Sequence, residues 1–294
     1  MGVSRKRAPT RTFMEMRAPE IAALAKRTDV ALVFVTQTAQ AGPHLPVGSR
    51  YYLATEIGRR IVDRLAADGY EAVVGAVLPY GHSVYNACFP GVIHLTPATL
   101  AAVITEVGLS LARQGFRRLV ILSNAGGNPP SIKFALHELA ERDDIQVFFL
   151  DIQRARLQAI GGLIEGAYPQ HDSHAGEWET SCLLAIVPEL VDMSRAVRWF
   201  WDKDDERHRL RLEGLSFHER QLALGAKDDR GWIGPAGNVG DATKATAAKG
   251  RKILDNYARL FAEHIRKWVF EAPAQGRRSR RQPRRATQSG RSRP

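Results

Sequence analysis

Cysteines and long apolar runs are scarce in this chain of 294 residues, and each scarcity excludes a class of protein. The two cysteines, Cys88 and Cys182, are too few for a disulfide framework and lack the spacing of a metal site. The longest apolar stretches, 31–35 and 119–122, are far shorter than the roughly 18 residues that suggest a membrane helix. The basic N-terminus lacks the apolar core of a secretory signal. We therefore expect a cytoplasmic protein without a membrane partner.

Positive charge is abundant but concentrated at one end of the chain. The net charge is +11, yet residues 277–294 hold eight arginines and no acidic residue, so the rest of the chain carries only +3. A segment rich in Arg, Pro, Ser and Gln cannot bury enough apolar area to offset the entropy cost of ordering. We therefore predict a disordered Arg-rich tail over 273–294, flexible residues 1–11, and one folded domain over 12–272. Such a tail is either a solvated segment without a dedicated function or a segment that contacts RNA, DNA or acidic proteins non-specifically.

Short β-branched runs alternate with segments of helical periodicity, which is typical of a parallel sheet covered by helices. The predicted strands are Val30–Thr36, Ala72–Leu78, Arg118–Ser123 and Ile145–Asp151. The predicted helices are Tyr52–Asp68, Leu100–Gln114, Ile132–Arg142, Glu177–Ile186 and a terminal helix over 240–270 capped by Asp241. Right-handed crossovers place helices on both faces, and the ligand crevice of such a sheet lies beyond the carboxyl ends of its strands.

Five short segments resemble, in order, motifs of the creatininase (creatinine amidohydrolase) family. They are TQTAQAGPHLPVGSR (36–50), YGHSVYNACFPG (80–91), LSNAGGN (122–128), DSHAGEWETS (172–181) and GDATKATAAKG (240–250). The resemblance covers residues 12–270 and implies a single three-layer α/β domain with a mostly parallel sheet flanked by helices. It also implies a homo-oligomer, typically a hexamer, to which a loop-rich segment over 195–235 would contribute contacts.

The resemblance further implies two divalent metals, at which a metal-bound water attacks the carbon of an amide-type C–N group. Position by position, four metal ligands of the family fall on Ala39, Ala41, Arg50 and Ala125. An alanine methyl group cannot coordinate a metal, and a guanidinium stays charged and repels a cation. Of the implied ligand positions, only Glu177 keeps a carboxylate. We therefore expect no metal, no other cofactor and no hydrolysis of creatinine.

The retained motif residues form two groups of candidate site residues. His174 and Glu177 are the candidate catalytic residues, since the resemblance places a proton-shuttling histidine at 174 and Asp172 precedes it by two residues. The candidate ligand-binding residues are Arg50, His44, Asn124, Asn128 and Tyr80. A structural role stays open for both histidines, His174 at a helix start and His44 within a turn.

Arg50 admits two interpretations. Its planar guanidinium offers a fixed pair of donors to a carboxylate of the ligand. Alternatively it pairs with Glu177 and fills an inactive site, because a buried charge needs a partner.

Three functions are consistent with the sequence. The first is a divergent creatininase-like protein that acts on an amide, lactam or related C–N group of a small molecule or peptide, without the dinuclear metal centre. The second is a catalytically inactive pseudoenzyme that binds a ligand or regulates an active partner. The third is a nucleic-acid-associated protein that uses the Arg-rich tail. The retained Glu177, His174 and Asn128 favour a working pocket, whereas the four lost ligands favour an inactive one.

Overall fold

Four parallel strands form the central sheet of this structure, a computed structural model that describes residues 12–166, 172–200 and 233–272. The strands are β1 (Val30–Val35), β2 (Val73–Leu78), β3 (Arg118–Ser123) and β4 (Gln146–Asp151), in the order β2-β1-β3-β4. The predicted α/β class with a mostly parallel sheet is confirmed. The predictions of a flexible N-terminus and a disordered Arg-rich tail, and most of the predicted loop-rich segment (201–232), fall outside the described residues.

Helices cover both faces of the sheet because alternate residues of each strand point to opposite sides. Leu32 and Phe34 of β1 enter one apolar core, whereas Ala31 and Val33 enter the other. The first core is closed by α2 (Ser49–Ala67), α5 (Arg156–Ile160), α6 (Glu177–Ile186) and α7 (Ala247–Ile265). The second core is closed by α1 (Ala18–Leu24), α3 (Pro97–Arg113) and α4 (Pro129–Ala140). No helix in the described ranges is long and apolar enough to cross a membrane.

The strand order places a crevice between the carboxyl ends of β1 and β3. The connection through α2 leads from β1 to β2 on one side, and the connection through α3 then leads from β2 to β3 on the other. Such a change of direction is where open α/β sheets hold their ligands. The motif segments 36–50 and 122–128 leave the sheet at these two strands, as the sequence indicated.

The terminal helix α7 begins later than predicted, because the segment 240–250 contains two capping residues and only one was expected from the sequence. Thr246 caps α7 by accepting a hydrogen bond from the backbone N–H of Lys249 at 3.3 Å. Asp241 instead accepts from the N–H of Thr243 at 3.2 Å and begins a separate 3-10 turn, Ala242–Lys244. A start at residue 240 with Asp241 as its cap is therefore wrong. Beyond α7, Arg266–Phe270 form a π-helical turn.

A small ladder holds the fourth motif segment in place. β5 (Arg198–Trp199) pairs antiparallel with β6 (Gly240–Asp241), and His174 forms an isolated bridge with Val239. Gly240 has a φ of +138° and packs against the Asp172 carboxylate, where a side chain would collide. The loop before α6 is thus tied to the segment before α7.

Close packing of α7 on α6 depends on Gly250. A Cβ built at this position would overlap the backbone carbonyl of Ser181, and the thiol of Cys182 lies 3.9 Å from the Gly250 carbonyl oxygen. Because the obstacle is backbone, a side chain at 250 requires one helix to move. Gly250 therefore sets the position of α6 and of the motif residues that α6 carries.

We expect Gly250→Ala to lower the free energy of unfolding by about 1–3 kcal/mol, because overpacking outweighs the higher helix propensity of alanine. Urea unfolding measures this, with Ala248→Ser, a change at an exposed position two residues earlier in the same helix, as the matched control. An increase in stability in Gly250→Ala would contradict the close packing.

Candidate functional site

Arg50 lies at the crevice between β1 and β3, and Asn124 fixes it there. The side-chain amide of Asn124 donates to the backbone oxygen of Arg50 at 2.8 Å, and Nη1 of Arg50 donates to the backbone oxygen of Asn124. Gln153 donates to the same Asn124 oxygen from Nε2 at 2.8 Å. The first residue after β3 therefore anchors both the backbone and the guanidinium of the first turn of α2.

The other guanidinium nitrogen of Arg50 faces two polar side chains of the fourth motif. Nη2 lies 3.2 Å from His174 Nδ1 and 3.4 Å from Glu179 Oε1. The side chains of Arg50 and Glu179 are 9% and 1% exposed, so this is a buried ion pair. Glu179 also accepts a hydrogen bond from the backbone N–H of Ala175 at 2.7 Å. We call Arg50, His174 and Glu179 the Arg50 cluster.

The alternative in which Arg50 pairs with Glu177 is wrong, because Glu177 points to the other side of α6. This candidate catalytic residue therefore lies away from the Arg50 cluster. Its Oε1 lies 2.6 Å from Lys249 Nζ, and its Oε2 accepts from the backbone N–H groups of Glu165 at 3.0 Å and Gly166 at 2.9 Å. Because a helix has 3.6 residues per turn, side chains two positions apart point in directions that differ by about 200°. Only one of Glu177 and Glu179 can therefore face Arg50, and the sequence pattern did not single out Glu179.

His174 is held as a neutral imidazole with a defined tautomer. A guanidinium only donates, so Nδ1 accepts from Arg50, and the ring proton sits on Nε2. There it is donated to the backbone oxygen of Gln40 at 3.0 Å, whereas the side-chain nitrogen of Gln40, also 3.0 Å from Nε2, cannot donate to a ring nitrogen that carries the proton. Burial, and then the positive charge of Arg50, lower the pKa of His174 from 6.5 to about 4. Because both ring nitrogens are engaged, the geometry favours His174 as a residue that orients Arg50 over a free proton shuttle.

The loop that carries His174 is set by Asp172 and Ala175. Ala175 has a φ of +47°, a left-handed conformation that is unusual for a residue with a side chain. The Asp172 carboxylate accepts from the N–H groups of Glu177 at 2.6 Å and Trp178 at 3.2 Å and so caps α6. Burial raises the pKa of Asp172 to about 7. Asp172 therefore fixes the start of α6, and its carboxylate hydrogen-bonds there and not to His174.

The remaining predicted ligand-binding residues lie around the Arg50 cluster. His44 Nε2 lies 2.8 Å from Thr180 Oγ1, and burial lowers the pKa of His44 to about 4. Asn128 donates from Nδ2 to the Thr36 oxygen at 2.9 Å and accepts from the His82 N–H at 2.9 Å. These contacts give His44 and Asn128 a structural role at the carboxyl ends of the strands. Tyr80 follows β2 and is exposed.

The described side chains do not fit the pair of divalent metals that the motifs imply. Ala39, Ala41 and Ala125 are buried and offer no donor atom, and Arg50 brings a fixed positive charge to the same crevice. Within 12–166, 172–200 and 233–272, no group of three or more His, Cys, Asp or Glu residues is arranged to hold a metal ion. A divalent metal needs such donors, and repulsion by the guanidinium would weaken its binding further.

Comparison with known proteins agrees with this scaffold. The profile of the creatinine amidohydrolase family matches residues 14–265. The chain belongs to the creatininase family. The resemblance seen in the sequence motifs is thereby confirmed, and it extends over nearly the whole described structure.

Relatives in this family differ in what they act on. The mycofactocin precursor peptide peptidase of Mycolicibacterium smegmatis is 28% identical over 242 residues, which are 81% of this chain and 85% of the relative. The creatinine amidohydrolase of Pseudomonas putida is 30% identical over 184 residues, which are 57% of this chain and 68% of the relative. A solved structure described as "Creatininase Mn" superposes with a TM-score of 0.67 at 26% identity, covering 88% of this chain and 98% of that chain.

We expect Arg50→Ala and Glu179→Ala each to destabilise the fold by about 3–5 kcal/mol, because each strands a buried charge. The double variant should lose less than the sum, with a coupling energy of about 0.5–3 kcal/mol. Urea unfolding of the singles and the double measures this coupling. Glu177→Ala is the matched control, since its carboxylate contacts Lys249, and its effect should add to that of Arg50→Ala. Additive losses for Arg50 and Glu179 would show that the pair is not formed.

The His174 ring should stay neutral, with its proton on Nε2, from pH 8 down to about pH 5, because its folded pKa is about 4. The unfolded chain takes up this proton near pH 6.5, so His174 lowers stability as the pH falls from about 6.5 to about 4. Asp172 acts with the opposite sign between about pH 4 and pH 7, because its folded pKa is raised. Nitrogen-15 NMR of the imidazole therefore isolates the effect, and a ring that titrates near pH 6.5 would contradict the assigned contacts.

Proposed function

We propose that this chain acts on the C–N bond of an amide, lactam or peptide ligand at the Arg50 cluster, without a dinuclear metal centre. The observation that carries the proposal is the buried guanidinium of Arg50, fixed by Asn124 and in contact with Glu179 and His174 at the ligand crevice of the sheet. Family membership supports C–N chemistry, since the relatives above are named as a peptide peptidase and an amidohydrolase. Those names describe the relatives, and the activity of this chain is our proposal.

The chemistry rests on the charges of Arg50 and Glu179. A guanidinium in a site of low polarity polarises a carbonyl group and stabilises the oxyanion that forms when water attacks. Glu179 Oε1 accepts no hydrogen bond within the described residues, so it is the candidate base for that water. The hydroxyl of the water bonds to the carbonyl carbon, the C–N bond breaks, and the proton passes through Glu179 to the leaving nitrogen. Arg50 also suits a ligand that carries a carboxylate.

A second candidate function is ligand binding without turnover. Its supporting observation is that Arg50, His174 and Glu179 are nearly inaccessible, at 8%, 7% and 1% exposure, and contact one another. A nucleophile or substrate must then displace existing contacts before chemistry starts. A pseudoenzyme that presents Arg50 to the carboxylate of a ligand, or of a partner protein, needs no such nucleophile.

Short blocked peptides with a free C-terminal carboxylate, matched to the same peptides as C-terminal amides, distinguish these functions. We expect the acids to bind more tightly than the amides, and Arg50→Met to lose about 2–5 kcal/mol of binding, the range for removing one side of a buried charge pair. Glu179→Gln should keep binding but lose amine release, whereas Glu177→Gln, on the opposite side of α6, should keep both. Calorimetry measures binding, and a fluorogenic amine assay measures turnover.

The outcomes separate cleanly. Binding without amine release supports the pseudoenzyme, and equal binding of acids and amides rejects a carboxylate site at Arg50.

Elemental analysis should find less than one zinc, manganese or iron per chain, and adding these ions should not raise turnover. Two tightly held metals per chain would overturn the metal-free proposal.

A further inference from the structure

An open groove lies between α3 and α4, on the side of these helices that faces away from the sheet. It encloses about 530 Å³ and is lined mainly by small or apolar residues: Pro97, Ala98, Ala101, Ala102, Pro130 and Phe134. The alanines of α3 create the hollow, and Phe134 of α4, 61% exposed, forms one wall. The opposite faces of both helices enter the core beneath the sheet through Ile104 and Ile132. The groove is therefore separate from the Arg50 cluster.

Two acidic side chains and one buried hydroxyl give the groove a polar character. Glu106 of α3 and Glu138 of α4 both line it, and neither has an ion pair or hydrogen bond within the described part of the chain. Ser131 also lines the groove and is 2% exposed, yet its hydroxyl has no hydrogen-bond partner among the described residues. Buried polar groups in folded proteins nearly always have a partner, so this hydroxyl points to a missing one.

We propose that the α3–α4 groove binds a short basic peptide segment that carries one bulky apolar side chain. The apolar side chain fills the hollow above Ala102 and packs against Phe134. Lysine or arginine residues beside it pair with Glu106 and Glu138, the two like charges of the groove that have no partner among the described residues. The acidic rim disfavours phosphate groups, so nucleic acid and anionic lipid do not fit.

The length of the groove sets the size of the segment. Pro97 and Glu106 are nine residues apart on α3, which is about 13 Å at 1.5 Å per residue. An extended peptide advances about 3.3 Å per residue, so the groove accommodates about four residues. Such a segment needs no opening of the fold, because the groove already exists between packed helices.

Fluorescence anisotropy with a labelled pentapeptide, Gly-Lys-Trp-Lys-Gly, tests the proposal. The full chain should bind this peptide. It should bind at least tenfold more weakly to two matched peptides, one with Glu in place of both Lys residues and one with Gly in place of Trp. Ala102→Trp fills the hollow from an exposed helix position and should weaken binding at least tenfold. Its control, Ala140→Trp, adds the same side chain at an exposed position of α4 outside the groove and should bind as the unaltered chain does.

Charge reversal gives the second arm of the test. Glu106→Lys combined with Glu138→Lys should abolish binding of the Lys peptide and confer binding of the Glu peptide, whereas Glu141→Lys, outside the groove, should change neither. No binding by the unaltered chain, or equal binding by Ala102→Trp and Ala140→Trp, overturns the proposal. Sedimentation velocity tests whether a second copy of this chain fills the groove instead. Self-association that Ala102→Trp abolishes would show this and would also overturn the peptide proposal.

Discussion

The ion pair between Arg50 and Glu179 is the contact on which the geometry of the site depends. Neither charge is stable alone in a buried crevice, because the cost of removing each from water is offset only by a close partner. Arg50 is tied to the loop after β3 through Asn124, and Glu179 is tied to the loop before α6 through Ala175. One pair therefore joins α2, the carboxyl end of β3 and the start of α6.

The two acidic residues of α6 lie on opposite faces of the helix and have different partners. Glu179 enters the Arg50 cluster, and Glu177 joins Lys249 of α7 to the loop at 165–166. Gly250 lets the same two helices approach until backbone meets backbone. Glu177 and Gly250 thus join α6 to its neighbours on one face, and Glu179 meets Arg50 on the other. We therefore expect loss of the Glu177 carboxylate to lower stability without changing the contact between Arg50 and Glu179.

The sequence predicted the framework well and the site only in part. The strands were predictable because β1 and β3 are short β-branched runs followed by motif segments, and a parallel sheet brings such segments to one edge. The start of α7 was not, because Asp241 and Thr246 are both good caps and only their backbone contacts distinguish them. The choice between Glu177 and Glu179 depends on the rotation of α6 about its axis. That rotation is set by the packing of α6 against α7, which cannot be read from the local sequence pattern of α6.

A guanidinium changes what a creatininase scaffold can do. A metal ion can exchange its ligands and acidify a bound water, whereas Arg50 carries a permanent charge and can only donate hydrogen bonds. Its positive charge can therefore orient a carboxylate or stabilise an oxyanion, but any activation of water must come from a neighbouring base. In the reaction we propose, that base is Glu179, since His174 gives its Nδ1 lone pair to Arg50 and its Nε2 proton to Gln40. In this proposal, ligand recognition and catalysis therefore compete for the Glu179 side chain. Its carboxylate balances the buried charge of Arg50, yet it must move away from Arg50 to accept a proton from water.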